Sequence, residues 1–110
     1  FELHLKFEEL YNDALIKVDE IAERVLTLSN TPIHTFEKYI ENSEIKAIEN
    51  VVDGDKAVDN ILASLTILLK KERATLKIAA EAEDEGTVSL MSDYIVQQEK
   101  LVWMLSAYKD

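Results

Sequence analysis

Apolar residues recur every three or four positions along three long stretches of this 110-residue chain, a spacing typical of amphipathic helices. The first predicted helix covers residues 1–28. We expect Asn30 and Pro32 to end it, because Asn tolerates the left-handed conformation of a helix end and Pro cannot continue a helix. A short amphipathic helix is predicted over residues 35–41, with Thr35 as its N-cap.

The second half of the chain predicts two more long helices. The first of them begins with Asp55 as its N-cap and reaches about Ala82, and the sequence EDEG at residues 83–86 ends it. The next runs from Thr87 to about Tyr108. Its apolar side is predicted to consist of Val88, Met91, Ile95, Val102 and Leu105.

Few residues in this chain break helices, since it contains two Gly and one Pro. The predicted fold is therefore all-α, with three long helices and one short helix in a single domain. Each long helix is apolar over a broad arc and needs neighbours, so we expect a four-helix bundle that lacks its N-terminal helix. The helical spacing of apolar residues is already present at the first residue, Phe1, which is not an initiating Met. Trp103 is expected to lie in the core or at an interface.

The composition excludes several classes of function. A net charge of −10 repels nucleic acid phosphates but offers many carboxylate oxygens to hard cations. The absence of Cys excludes disulfides, thiolate zinc sites and Cys nucleophiles, and no Gly-rich phosphate loop is present. No apolar run approaches the ~18 residues of a membrane span. The basic run at residues 70–73 is interpreted as a solvated face, and His34, in the connector after Pro32, is not predicted to bind a metal.

The first helix has two apolar sides, which indicates a partner chain. Successive residues of a helix are rotated by about 100°, and on this basis one set of apolar residues falls within an arc of about 80°. This arc is predicted to face the helix's own bundle. That arc contains Leu3, Phe7, Leu10, Ala14, Val18, Ile21, Val25 and Leu28. A second stripe beside it carries the polar residues His4, Glu8, Asp19 and Glu23. The same side also carries Tyr11, Leu15, Ile16, Ala22 and Leu26.

The four polar residues of the second stripe form two pairs at i, i+4 spacing, His4 with Glu8 and Asp19 with Glu23. Glu8 and Asp19 lie about 16 Å apart along the helix, too far to share one metal ion. Two copies crossing antiparallel near residues 13 and 14 would bring unlike pairs together and create two identical sites. A solvated acidic face is the simpler alternative, and the spacing alone leaves both interpretations open.

A family resemblance covers nearly the whole chain. FELHLKFEELYNDALIKVDEIAERVLTLSNTP resembles the second helix of the Dps mini-ferritins, the DNA-binding proteins from starved cells, and TFEKYIENS and EKLVWMLSAY extend the match. The resemblance implies a ferritin-like four-helix bundle, with a short helix in the connector between its second and third long helices. On this basis residues 1–110 form one ferritin-like domain that is incomplete at its N-terminus.

The resemblance also implies a function. Family members form twelve-subunit hollow shells that oxidise ferrous iron, typically with hydrogen peroxide, and store ferric mineral. By position, His4 and Glu8 are the iron ligands of one subunit, and Asp19 and Glu23 are those of its two-fold mate. No catalytic residue beyond these metal ligands and no cofactor other than iron is implied. We expect a cytoplasmic homo-oligomer whose two-fold interfaces involve the first helix, with no membrane association.

Some positions depart from the family pattern. The family's other His ligand comes from a first helix that this sequence does not contain. Glu8 stands where many members have Asp, and Ser29-Asn30 replaces a common Gly pair. Ser89 stands where members often have an acid that lines the iron entry, although Glu83, Asp84, Glu85 and Asp93 keep that region acidic. The alternative function is therefore a structural, DNA-protecting nucleoid assembly with weak or lost oxidation, which would bind DNA through an N-terminal tail outside this sequence.

Overall fold

A computed structural model describes residues 2–109, which are mostly helical and contain no β-strand. The helices are α1 (Glu2–Thr27), α2 (Phe36–Asn42), α3 (Gly54–Glu81) and α4 (Glu85–Lys109). The predicted all-α class, with three long helices and one short one, is confirmed. The predicted start of the first helix at Phe1 lies outside the described residues. Two compact units divide the chain: the first ends at Ser43, and the second begins at Glu44.

In the first unit, α1 ends through a Schellman motif, in which one residue beyond the helix adopts a left-handed conformation. Ser29 takes this conformation with φ 64°. Its N–H donates to the carbonyl oxygen of Leu26 at 2.9 Å, and the N–H of Asn30 donates to that of Val25 at 3.0 Å. The prediction that Asn30 would be the left-handed residue is therefore wrong by one position, because the reversal occurs at the first residue past the helix cap.

The short helix α2 begins as predicted at its Thr35 cap, whose hydroxyl accepts the backbone N–H of Lys38 at 3.2 Å. Tyr39 anchors the preceding connector, because its phenolic O–H donates to the carbonyl oxygen of Ile33 at 2.8 Å. The ring of Phe36 meets the ring of Tyr39 edge to face, with centroids 6.3 Å apart. These contacts define a helix of seven residues that carries no buried side chain.

In the second unit, α3 and α4 form an antiparallel hairpin. Ion pairs show the pairing: Asp59 near the start of α3 contacts Lys109 at the end of α4. Nearer the middle of both helices, Arg73 Nη2 lies 2.8 Å from Glu99 Oε2. The turn between the helices is a second Schellman motif, with Glu83 in the left-handed conformation at φ 59°.

Aspartates begin both helices of this hairpin, although not where the sequence analysis placed the helix starts. Asp53, rather than Asp55, caps α3, since its side chain accepts the N–H of Asp55 at 3.0 Å. Helix α4 begins at Glu85 rather than at Thr87. The reason is that Asp84 Oδ1 accepts the N–H of Thr87 at 3.2 Å and so completes the first turn around Gly86.

The buried residues of the hairpin recur at heptad-like spacing on both helices. On α3 they are Val58, Leu65, Leu69, Glu72 and Ala79, and on α4 they are Thr87, Met91, Tyr94, Gln98 and Leu105. Of the five apolar positions predicted for α4, Met91 and Leu105 are buried and the other three are half-buried. Trp103 is 66% exposed, so its predicted place in the core is wrong; a place at an interface remains a prediction.

One level of the hairpin interior is polar. Because Arg73 and Glu99 contact each other, their sequence neighbours Glu72 and Gln98 lie at the same height, and both are buried. The amide oxygen of Gln98, a side chain only 4% exposed, accepts no hydrogen bond from the described residues. Such a buried acceptor reduces stability. The apolar levels around it must therefore supply the stability of the hairpin.

Leu105→Ala is expected to lower the free energy of unfolding of the protein by about 2–5 kcal/mol, because Leu105 is 3% exposed and its loss leaves a cavity between the helices. Urea unfolding followed by circular dichroism measures the change. The matched control is Ser106→Ala, at the exposed neighbouring position, which should shift the free energy by no more than about 0.5 kcal/mol. Equal effects of the two substitutions would contradict this account of the core.

Candidate metal centre

All four predicted metal ligands lie on α1, and all four are exposed to solvent. This helix of 26 residues contains no buried residue. Two of the large apolar side chains on the predicted second stripe are more than half exposed, Leu15 at 52% and Leu26 at 59%. The structure therefore places acids and uncovered apolar side chains together on one side of a long regular helix, as the periodicity predicted.

The ligand side chains have no counter-charge within the described part of the chain. Lys6 Nζ lies 3.2 Å from Glu9 Oε2, and Lys17 pairs with Asp13. Both lysines lie at least about 100° around the helix from the candidate ligands. The side chains of His4, Glu8, Asp19 and Glu23 make no ion pair or hydrogen bond with residues 2–109. They are therefore available to bind a cation.

The unbroken helix separates the four ligands into two half-sites. His4 and Glu8 are one turn apart and point to the same side, as do Asp19 and Glu23. From Glu8 to Asp19 the distance along α1 is about 16 Å, whereas a metal ion holds its ligand atoms at about 2.0–2.3 Å. Accordingly, residues 2–109 contain no group of three or more His, Cys, Asp or Glu side chains that could hold a metal ion.

Each half-site offers donor atoms that suit iron, since imidazole nitrogen and carboxylate oxygen bind divalent first-row metals. One half-site supplies a nitrogen and a carboxylate, and the other supplies two carboxylates. Either half alone would leave most positions around a metal ion to water. The donor chemistry thus fits iron, and each half-site on α1 supplies two ligand side chains.

The acids considered for an iron entry lie around the α3–α4 turn. Glu83 forms the turn itself, and Asp84 serves as the N-cap of α4. Glu85 opens α4, and Asp93 is exposed two turns further along. The negative charge of this region is as predicted, but the capping role of Asp84 is one that the sequence analysis missed. The signal for it was present, because Asp precedes Thr87 by three residues, the spacing of an N-cap.

A cavity of about 460 Å³ lies in the second unit, between the connector and the start of α3. Its lining combines apolar side chains of the connector with Lys56, Asp59 and Asn60. None of the predicted metal ligands lines it. No helix within residues 2–109 is long and apolar enough to cross a membrane.

Comparison with known sequences identifies relatives along the whole chain. The family model of the ferritin-like domain matches residues 1–110. A "DNA protection during starvation protein" of Porphyromonas gingivalis is 44% identical over 108 residues, which cover 98% of this chain and 68% of that protein. A protein of Haemophilus influenzae with no assigned function is 47% identical over 107 residues, covering 97% of this chain and 67% of the relative.

Solved structures show the same fold. The Dps protein of Vibrio cholerae O1, described as a member of a broad superfamily of ferritin-like diiron-carboxylate proteins, matches with a TM-score of 0.97 and 49% identity. The match covers 100% of this chain and 69% of that one. Dps from Staphylococcus aureus matches with a TM-score of 0.96 and 31% identity. The all-α ferritin-like fold that the resemblance implied is confirmed.

Glu23→Gln is expected to weaken iron binding at least about ten-fold and to leave the thermal midpoint of the metal-free protein unchanged or higher. The reason is that a neutral amide removes the repulsion between two carboxylates at an apolar surface. Titration with Fe²⁺ under anaerobic conditions and differential scanning fluorimetry measure the two effects. Glu9→Gln, on the same helix but off the stripe, should change neither. A lowered midpoint with unchanged iron binding would show that Glu23 is a structural residue.

Proposed function

Because this chain belongs to the Dps family of ferritin-like proteins, we propose that it oxidises ferrous iron at sites formed between two copies of α1 and stores the ferric product inside a hollow assembly of identical subunits. The observation that carries the proposal is the pair of half-sites on α1, each exposed and without an ion pair to any of residues 2–109. Family membership indicates the substrate class, and the residues of α1 indicate where that substrate binds.

A two-fold axis that crosses α1 midway between residues 13 and 14 completes the site. When two copies of α1 run antiparallel through this point, each residue of one copy faces a residue of the other, and the two residue numbers add up to 27. His4 then faces Glu23 of the second copy, and Glu8 faces Asp19 of the second copy. Each pair of subunits therefore contains two identical sites, each with one imidazole and three carboxylates. The apolar contact between the helices removes these carboxylates from water, and a metal ion there neutralises their negative charge.

The chemistry follows from the ligands. Carboxylates stabilise the ferric product more than the ferrous substrate, which favours loss of an electron. Two ferrous ions in one site give up one electron each, and hydrogen peroxide accepts both electrons with two protons to become two water molecules. Because both electrons are transferred together, no hydroxyl radical is released. The residues His4, Glu8, Asp19 and Glu23 hold and orient the iron, and the surrounding Leu15 and Leu26 limit the access of water.

The second candidate function is a DNA-protecting assembly with weak oxidation, and the name of the relative from Porphyromonas gingivalis favours it. The charge of this chain is unfavourable for direct DNA contacts, because 22 acidic residues outnumber 12 basic ones. Removal of iron and peroxide would protect DNA without such contacts. We therefore place iron oxidation first and treat DNA binding as the alternative.

Mixing two inactive variants tests whether the site is shared between chains. Assemblies made only of His4→Ala subunits, or only of Glu23→Gln subunits, have no intact site. A pair that contains one subunit of each kind has one intact site, because His4 and Glu23 of one site come from different copies. The other site of that pair carries both lesions. Mixed assemblies, co-expressed and purified through two different tags, should bind more iron than either parent. Iron binding no higher than in the parents would refute the shared site.

Hydrogen peroxide is expected to oxidise iron faster than dioxygen does in the presence of the protein, since the proposed site transfers two electrons at once. Stopped-flow absorbance of ferric iron measures both rates. An Asp19→Asn, Glu23→Gln double variant is the control, and its rates should match those of solutions without protein. Equal rates with the two oxidants would contradict the proposed preference, and a wild-type rate equal to the control would contradict the ferroxidase function itself.

A further inference from the structure

The buried residues of the α3–α4 hairpin form levels, one of which is polar. Three buried residues on each helix follow one another at steps of seven residues. They are Leu65, Glu72 and Ala79 on α3, and Met91, Gln98 and Leu105 on α4. Because the helices are antiparallel, equal steps along both keep such residues at matching heights. The contact between Arg73 and Glu99 sets Glu72 and Gln98 at one height. These two residues therefore form a polar level with an apolar level on either side.

Two oxygen atoms of this polar level accept no hydrogen bond from the described residues. They are Oε1 of Gln98 and Oε1 of Glu72, on side chains that are both at least nine-tenths buried. Glu72 makes another polar interaction, but not through this atom. Tyr94, one turn before Gln98 on α4, is buried as well, and its hydroxyl donates to neither oxygen. Buried acceptors of this kind are rare in folded proteins and need a physical explanation.

An ionised Glu72 would make this level unfavourable. A carboxylate can only accept hydrogen bonds, so it offers no donor to the amide oxygen at the same height. A buried negative charge is also costly unless a cation compensates it. The two cations next to Glu72 in the sequence pair with other acids. Arg73 Nη2 lies 2.8 Å from Glu99 Oε2. Lys71 pairs with Glu44.

One proton on Glu72 removes both difficulties. A protonated carboxyl has an O–H donor, and an amide has two N–H donors beside its oxygen. The O–H of Glu72 can then donate to Oε1 of Gln98, while an N–H of Gln98 donates to the second carboxyl oxygen. This pairing supplies the buried amide oxygen with a donor. It also leaves no net charge between the apolar levels of the hairpin.

We propose that Glu72 is protonated in the folded protein at neutral pH and donates a hydrogen bond to Gln98, so that the core of the hairpin contains one bound proton. The proposal does not depend on iron or on the candidate ligands of α1. In the unfolded chain Glu72 is ionised at neutral pH, because a Glu carboxyl in water has a pKa of about 4.3. The folded protein therefore binds one proton more than the unfolded chain, and its stability falls as the pH rises.

Infrared spectroscopy tests the protonation directly, because the C=O stretch of a protonated carboxyl is separate from the stretches of an ionised carboxylate. The assembled protein should show a protonated-carboxyl band at neutral pH. Glu72→Gln removes the carboxyl but keeps a donor for Gln98, so it should abolish this band without loss of stability. The matched control is Glu81→Gln, the same change at an exposed position of α3, which should retain the band.

Urea unfolding at a fixed protein concentration measures the effect of the proton on stability. From about pH 6 to about pH 7, the unfolding equilibrium constant of the wild type should rise about ten-fold more than that of Glu72→Gln. Gln98→Leu should raise this constant at least about ten-fold at neutral pH, because it leaves the buried acid without its partner. A double variant with Leu at both positions removes both polar groups, and it should be more stable than Gln98→Leu alone.

A wild-type protein without a protonated-carboxyl band at neutral pH would overturn the proposal, even if a variant failed to fold. The same conclusion would follow from a band that persists in Glu72→Gln, or from a band that is lost in Glu81→Gln. Equal pH dependence of stability in the wild type and in Glu72→Gln would also contradict the bound proton. Failure of the proposed iron oxidation would change none of these measurements, so the two proposals are tested separately.

Discussion

The cost of covering a carboxylate governs the proposed organisation of this protein. Helix α1 combines acids with large apolar side chains on one side, and the two kinds of residue make opposite demands on their surroundings. Apolar surface is stabilised when it is removed from water, whereas an ionised carboxylate is destabilised unless a cation or a proton compensates it. In the proposed arrangement, a second copy of α1 covers the apolar side chains and bound iron compensates the carboxylates, so that both demands are met.

The lysines of α1 do not neutralise the acids of the ligand stripe. Lys6 and Lys17 each pair with an acid on their own side of the helix, Glu9 and Asp13, and so leave the ligand stripe uncompensated. Exposed ion pairs of this kind contribute little to stability. Their position bears on the proposed function, because neither lysine neutralises the acids of the ligand stripe.

The hairpin of α3 and α4 has a different role, since it contains all the buried residues of the described chain. Its tight turn and its ion pairs hold the two helices together at both ends, and the apolar levels between them tolerate one polar level at Glu72 and Gln98. The buried residues of the described chain and the candidate metal ligands therefore lie on different helices.

The sequence by itself determined the helices, the two sides of α1 and the separation of its candidate ligands into two pairs, because all of these depend on the local geometry of regular helices. Family membership, too, could be recognised from the motifs of α1. The tertiary structure alone decided that Ser29 makes the left-handed turn, that Asp53 and Asp84 begin the long helices, and that Trp103 stays out of the core. These features depend on which of several adjacent, chemically similar residues makes a contact. That choice is settled by the packing and hydrogen bonds of the folded chain, and not by the spacing of residue types.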